Sequence, residues 1–257
     1  MITNIKRNKY PPRPIGYCMN SIDLLDALRK YPVFDTAQFA SITGLDSASA
    51  KVRLFRMREQ GRLLGIQRNS FTVYKDPLVI ASKIVWPSYI SLWYALSHHG
   101  LTLQVPQGIT VLTSRQTFRK KICFQGTSIN FLLVSPSFMY GYDRIDVGGH
   151  EVFMAYPEKA LLDALHLQQI SVSEISEILM EHGRELDLDR LVEYALRSKD
   201  DKLVRRTGLL LERSGYRQHK GLPGGKGKAP IPLDPLLPAE GPLNRKWAVL
   251  DNLGAVK

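Results

Sequence analysis

A basic amphipathic stretch, SASAKVRLFRMREQ at residues 47–60, is the feature that most restricts how this chain can fold. Its apolar positions recur at helical spacing and are expected to face a core: Ala50, Leu54 and Met57. Its basic residues fall on the remaining faces: Lys51, Arg53, Arg56 and Arg58. Asp46 or Ser47 can cap the start of this helix, and Gly61 can end it in a left-handed turn.

Two shorter helical patterns precede this stretch. Residues 20–30 read as a helix capped by Asn20, with an apolar stripe at Ile22, Leu25 and Leu28. A second helix is predicted to begin at Asp35 or Thr36 and to end at Gly44; its inward positions are Phe39, Ala40 and Ile42. The connection from Gly44 to the basic helix is therefore short and tight.

A hairpin pattern follows the basic helix. RLLGIQ at 62–67 and SFTVYK at 70–75 read as two strands joined by a polar, basic tip at 68–70. Three helices followed by a hairpin is the winged helix-turn-helix order, in which the third helix enters the DNA major groove. Residues 20–76 are therefore predicted to be a DNA-binding domain, and the hairpin is predicted to be its wing.

The basic side chains of this domain divide into two predicted roles. Candidates for contacts to base edges are Ser49, Arg53 and Arg56, since arginine pairs with guanine through two hydrogen bonds worth about 1–3 kcal/mol of discrimination. Phosphate contacts, which supply affinity and register, are expected from Ser47, Lys51, Arg58, Arg62, Arg68 and Lys75. Val52 and Phe55 are expected to pack rather than to read bases.

The charge of the chain is concentrated near its start. The net charge is +11, and residues 1–75 hold 13 Lys or Arg against 5 Asp or Glu. The rest holds 22 against 19, so the N-terminal third is the part suited to a polyanion. Residues 1–19, a basic segment broken by prolines, are predicted to form an irregular or extended arm. An acidic protein partner, or a merely solvated basic face, is the alternative interpretation of this charge.

The composition is that of a globular protein, with 44% hydrophobic and 23% charged residues. No apolar run approaches the roughly 20 residues that span a bilayer, so no membrane association is expected. The start, MITNIKRNKYPP, lacks the apolar core of a signal peptide. Two cysteines, Cys18 and Cys123, are expected to stay reduced, and these features together predict a cytoplasmic protein.

Residues 77–257 are predicted to form a mixed α/β domain, which makes the whole chain α+β. The pattern at 88–100, SYISLWYALSHHG, reads as a helix. Strands are expected at 109–113, 121–124, 129–134 and 151–156, with hairpin turns at Gly126-Thr127 and Gly148-Gly149. Helices are expected at 157–167, 173–183, 188–199 and 202–215. The Pro/Gly-rich segment 216–240 reads as a linker, and the apolar end at 244–253 is expected to return as a strand.

Three segments resemble AbiEi-type antitoxins of type IV toxin–antitoxin (abortive infection) systems, which are also described as transcriptional regulators of viral defence. They are WPSYISLWYALSHHGLTLQVP at 86–106, YPEKALLDAL at 156–165 and NRKWAVLDNL at 244–253. They occur in the order of that family, downstream of the predicted winged helix. The segment at 220–238 departs from the family's pattern.

The resemblance implies a two-domain repressor. The N-terminal winged helix would bind inverted repeats of double-stranded DNA in the operon's own promoter. The C-terminal domain at 77–257 would counter a nucleotidyltransferase-like toxin without a stable complex. An orphan regulator without a toxin is the alternative, and a monomer that binds DNA cooperatively is compatible with the resemblance, although the sequence leaves the oligomeric state open.

The chain offers little sign of catalysis, and neither a cofactor nor a metal is expected. Adjacent helical histidines at 98 and 99 point about 100° apart and have no partner ligands. A nuclease set of Glu151, Glu158 and Asp163 is imaginable, but helix-start and structural roles fit these carboxylates better. GLPGGKGK at 221–228 lacks the spacing and context of a phosphate-binding P-loop. A secondary basic patch is predicted between two strands, and it is interpreted either as a contact for nucleic acid or as a solvated loop. It consists of Arg115, Arg119, Lys120 and Lys121.

Overall fold

A computed structural model describes residues 20–117, 119–147, 149–216 and 221–254. It is an α+β structure that divides into two compact units, with the division between Asp76 and Pro77. The predicted basic arm at 1–19, with Cys18, and Gly148 of the predicted turn lie outside the described residues. Within the described ranges, no helix has both the length and the apolar character needed to cross a bilayer.

The N-terminal unit has three helices followed by an antiparallel hairpin: α1 (Ser21–Arg29), α2 (Thr36–Thr43), α3 (Ser47–Glu59), β1 (Leu64–Gln67) and β2 (Ser70–Thr72). A polar side chain caps the start of each helix, because the first amides of a helix lack partners within it. Asn20 caps α1, Asp35 caps α2 through a reciprocal capping box with Gln38, and Asp46 caps α3. Gly44, in the left-handed conformation at φ 67°, ends α2.

The core of this unit lies between the three helices. Its buried side chains are Leu24, Leu28, Phe34, Phe39, Ala50, Leu54, Met57 and Leu63. The predicted inward face of α3 is therefore confirmed. The predicted stripe of α1 is wrong at Ile22, which is 72% exposed. Leu24 and Leu28 face the core, and Ile22 lies about 160° around the helix from Leu24.

The hairpin is attached to the helices by backbone hydrogen bonds. Phe34, between α1 and α2, exchanges two of them with Phe71 of β2, at 3.0 and 2.9 Å. At the hairpin tip, Asn69 accepts hydrogen bonds from the backbone and the hydroxyl of Thr36 at the start of α2. These bonds hold the tip beside the first turn of α2.

The C-terminal unit is built on a six-stranded mixed sheet with the order β5-β6-β4-β3-β8-β7. The strands are β3 (Ser88–Ser91), β4 (Gly108–Thr113), β5 (Lys121–Phe124), β6 (Thr127–Leu133), β7 (Tyr142–Val147) and β8 (His150–Ala155). Two short helices belong to this part: α4 (Pro77–Ala81) and α5 (Leu92–His98). The four predicted strands are confirmed, and β7 is an additional strand that pairs with β8.

The helix predicted at 88–100 is wrong in its first turn. Ser88–Ser91 forms the central strand β3, and only Leu92–His98 is helical. All four strand residues are buried, because β3 lies between β4 and β8 within the sheet and also packs against α5 and α6. Such tertiary burial overrides a local helical pattern.

Four longer helices follow the sheet: α6 (Pro157–Leu167), α7 (Val172–His182), α8 (Leu188–Arg197) and α9 (Asp201–Arg213). Each begins and ends within two residues of its predicted bounds. α6 is the central one, since eight consecutive residues, 158–165, are buried between the sheet and the other helices.

The end of the chain forms a small second sheet, with β9 (Ile231–Pro232), β10 (Leu243–Asn244) and β11 (Val249–Leu250) in the order β10-β11-β9. The expected return of 244–253 as a strand is confirmed at β11. Trp247, just before it, is 3% exposed and packs on Gly208 in the middle of α9. Arg205 and Arg206 of α9 donate to the carbonyls of Ala229 and Pro232, so part of the segment interpreted as a linker is ordered against α9.

Candidate nucleic-acid interface

The outward surface of α3 is cationic. Lys51, Arg56 and Arg58 are exposed, and Arg53 is half-buried at the edge of the helix. The only acid of the helix, Glu59, lies 3.8 Å from Arg58. Because the opposite face is locked into the core by Ala50, Leu54 and Met57, these cations are held in a fixed register along the helix.

Two apolar residues share this outward surface. Val52 is 51% exposed and Phe55 is 58% exposed, so the expectation that they pack in a core is wrong. The three small or apolar core positions of α3 already fill its inner face, and residues 52 and 55 project between the cations. The guanidinium of Arg58 lies 5.7 Å from the centre of the Phe55 ring, a cation–π distance. An exposed methyl group and an exposed ring among arginines are suited to thymine methyls and to sugar edges.

Ser49, in the first turn of α3, is hydrogen-bonded to the residue that caps the helix. Its hydroxyl donates to Asp46 at 2.7 Å, and Asp46 also accepts from the backbone amides of Ala48 and Ser49. The Ser49 hydroxyl and these amides lower the pKa of Asp46. With its proton committed to Asp46, Ser49 is left with acceptor capacity only, which narrows its predicted contact to an amino group of cytosine or adenine.

A groove of about 700 Å³ lies between the starts of α2 and α3 and the hairpin tip. Three of the predicted phosphate contacts line it together: Ser47, Lys51 and Arg68. Thr36 and Asn69, which are hydrogen-bonded to each other, also line it. The carboxylates of Asp35 and Asp46 already cap the amides at the starts of α2 and α3, so the attraction of this groove for an anion comes from Lys51 and Arg68.

The remaining predicted phosphate contacts are more dispersed. Arg62 follows α3 and donates to the hydroxyl of Ser21 at 3.0 Å, which ties it to the start of α1. Lys75 is exposed after the hairpin, and Arg58 lies on α3 outside the groove. None of these three residues lines the groove.

The secondary basic patch lies in the C-terminal unit, in the loop from β4 to β5 and at the first residue of β5. Arg115, Arg119, Lys120 and Lys121 are all exposed. Across the described ranges of the chain, none of the four side chains forms an ion pair with a carboxylate. The patch is at one edge of the six-stranded sheet, because β5 is its outermost strand.

The three carboxylates considered for a nuclease have separate surroundings. Glu151 is exposed on β8 and lies 3.4 Å from Arg144. Glu158 accepts from the backbone amide of Asp187 at 2.9 Å and lies 3.6 Å from Arg190, so it does not cap its own helix. In the part of the chain that the structure describes, no group of three or more His, Cys, Asp or Glu is placed to hold a metal ion.

The third carboxylate belongs to a buried polar cluster. Asp163 pairs with Lys159 one turn earlier on α6, and both side chains are fully buried. Asp163 also accepts from Ser91 at 2.7 Å and from Tyr89 at 3.1 Å, and Lys159 donates to the Tyr89 oxygen at 2.8 Å. Burial, and next the charge of Asp163, raise the pKa of Tyr89, while burial lowers the pKa of Lys159. The cluster is satisfied internally and holds α6 on β3.

The sequence carried only a weak signal for this cluster. Lys159 and Asp163 have the i, i+4 spacing of a helical ion pair, but the same spacing is common on solvated helix surfaces. The partners Tyr89 and Ser91 are some 70 residues away in the chain, and they fall in the segment that was predicted to be helical.

The two adjacent histidines lie at the end of α5. His99 makes a hydrogen bond of 2.9 Å between its Nε2 and the backbone oxygen of Ala155 on β8. Burial, with a smaller contribution from His99, lowers the pKa of His98. The rings of the two histidines pack edge to face, with their centres 5.3 Å apart.

The candidate interface is therefore the outward surface of α3, the adjoining groove and the hairpin tip, with a separate basic patch on the C-terminal unit. Comparison with protein-family models gives no match, and comparison with curated proteins gives none either.

Proposed function

We propose that the protein is a sequence-specific DNA-binding repressor and that residues 20–76 are a winged helix-turn-helix domain. The observation that carries this proposal is α3, a helix fixed in the core along one face and cationic along the other. Its outward surface is continuous with the groove at the hairpin tip. A helix of this kind has the width and charge to enter a major groove.

In this proposal the side chains divide by position along the interface. Arg53 and Arg56 read base edges, and Val52 and Phe55 contribute apolar contacts beside them. Ser47, Lys51 and Arg68 hold one phosphate group in the groove. Arg58, Arg62 and Lys75 neutralise flanking phosphates. Neutralising these four phosphates, at a slope of about −0.9 each, implies a loss of affinity of about 10²-fold between 50 and 200 mM salt.

The biological role that we propose is that of an antitoxin of the AbiEi type. Its support is the resemblance of the segments at 86–106, 156–165 and 244–253, together with the interpretation of α3 as a DNA-binding helix. Such a protein would repress its own promoter and counter a nucleotidyltransferase-like toxin. A nucleotidyltransferase gene beside this one would favour the antitoxin, whereas its absence would favour an orphan regulator.

The test is the affinity of the full chain for its own promoter. Duplexes carrying the promoter's inverted repeat and duplexes with the same bases scrambled would be compared by fluorescence anisotropy at matched salt. We expect the repeat to bind at least about 10³-fold more tightly, as specific sites usually do. Equal affinities for the two duplexes would contradict sequence-specific repression. Binding to neither duplex, at low salt as well, would favour an acidic protein partner.

A further inference from the structure

The C-terminal unit contains a second basic groove, of about 690 Å³, which is separate from the patch at 115–121. One wall is the glycine-rich loop 224–228, and the other is the turn before β11. Four cations line it: Lys226, Lys228, Arg245 and Lys246. The other lining residues are glycines and three apolar side chains, those of Pro230, Leu243 and Ala248, and no acid is among them.

The two walls are fastened to each other through their backbones. The amide of Gly225 donates to the carbonyl of Lys246 at 2.8 Å. A Cβ at Gly225 would lie 2.0 Å from the carbonyl oxygen of Trp247, so only glycine allows this approach. Trp247 is in turn buried against α9. The groove is therefore formed before any ligand arrives, which lowers the entropic cost of binding.

Both walls present a cation at a tight turn. The amide of Lys228 donates to the carbonyl of Gly225, and this turn places Lys226 at its outer corner. On the other wall, the side chain of Asn244 accepts from the amides of Lys246 and Trp247, and this turn exposes Arg245. These two exposed cations belong to walls that are clamped together.

Ion pairs neutralise only half of the positive charge. Lys228 pairs with Asp201, and Lys246 pairs with Glu212, both acids lying on α9 outside the groove lining. Lys226 and Arg245 have no carboxylate partner among the residues that the structure describes. The groove thus keeps two unneutralised cations above an apolar floor.

We propose that this groove binds the phosphodiester backbone of nucleic acid, independently of base sequence. Lys226 and Arg245 neutralise successive phosphates, and Leu243 and Pro230 contact the sugars between them. The lining has no Asn, Gln, Ser or Thr to read a base edge, and its one aromatic neighbour, Trp247, is buried beneath it. A groove of this composition favours a charged backbone over a nucleobase.

The test uses the full chain with Arg53→Ala and Arg56→Ala, so that sequence-specific binding does not mask a weaker contact. In this background, Lys226→Ala with Arg245→Ala is compared with Lys30→Ala with Arg184→Ala, an exposed pair outside both grooves. The affinity for a random-sequence duplex would be measured from low to moderate salt. Thermal melting would verify that all variants are folded.

We expect the groove variant to reduce the slope of log affinity against log salt by about 1.8, since each phosphate contact contributes about 0.9. The control pair should leave the slope unchanged. A slope that is the same in the groove variant and in the control would overturn the proposal. A second result would also overturn it: labelled inorganic triphosphate binds at micromolar concentration, the groove variant loses this binding, and the salt slope for the duplex does not change. That result would indicate that the groove binds a small phosphate ligand.

The result of this salt-slope experiment does not depend on whether the protein is a sequence-specific repressor. If the promoter repeat and its scrambled form bind equally, sequence-specific repression fails while the groove can still lower the salt slope. If the repeat is preferred but the slope is unaffected by Lys226→Ala with Arg245→Ala, the groove proposal alone fails.

Discussion

Lys159 and Asp163 are the residues whose placement has the clearest energetic consequence. Both are fully buried, and the pair is surrounded by the rings of Tyr89, Phe138 and Tyr140 within 4.6–5.2 Å of the ammonium. Removing an ion from water is costly, and this cost is offset here by the partner charge, two hydroxyl donors and the ring faces. Neither member can therefore be removed alone without leaving a buried charge unpaired.

Asp163→Ala is predicted to lower the free energy of unfolding by about 3–5 kcal/mol, because it strands the Lys159 ammonium and two hydroxyls. Lys159→Met combined with Asp163→Asn should cost less, since no charge remains and the introduced amide oxygen would still accept from Tyr89 and Ser91. Urea unfolding at neutral pH measures both. If the double variant is as unstable as Asp163→Ala, the pair contributes through packing and not through charge compensation.

At the scale of elements, α9 and the returning end of the chain stabilise each other through one contact. Gly208 lies in the middle of α9, and a Cβ there would be 2.4 Å from the Trp247 ring. Glycine is otherwise a poor residue for a helix interior, where it costs about 1 kcal/mol relative to alanine. Its presence is explained by the ring that it accommodates.

Gly208→Ala is accordingly predicted to destabilise the protein by about 1–3 kcal/mol through overpacking, despite the better helix propensity of alanine. Gly65→Ala, in β1, is the control for adding a methyl group without a clash, since its Cβ would make only an ordinary contact of 3.8 Å with Arg58. Thermal melting of the two variants gives the comparison. Stabilisation by Gly208→Ala would show that Trp247 can move aside freely.

The same elements show which features the sequence could predict. Ala50, Leu54 and Met57 follow a local period, so the inner face of α3 was predictable, as were the bounds of α6 to α9. Ser88–Ser91 was not, because its strand conformation depends on neighbours in β4 and β8 that are distant in the chain. The groove beside Lys51 likewise depends on Asn69 meeting Thr36, a contact across 33 residues. The sequence patterns predicted which residues carry charge, but they could not predict these contacts between segments that are distant in the chain.

In the whole molecule, we propose that one helix reads DNA sequence while the other cations of the N-terminal unit supply affinity. The most direct test is the ratio of affinities for the promoter's inverted repeat and its scrambled form at one salt concentration. Arg53→Ala with Arg56→Ala should reduce this ratio at least about 10-fold, since each lost base contact is worth about 1–3 kcal/mol. Arg58→Ala with Arg68→Ala should weaken binding to both duplexes equally and leave the ratio unchanged. An unchanged ratio in the Arg53 and Arg56 variant would contradict the assignment of α3 as the recognition helix.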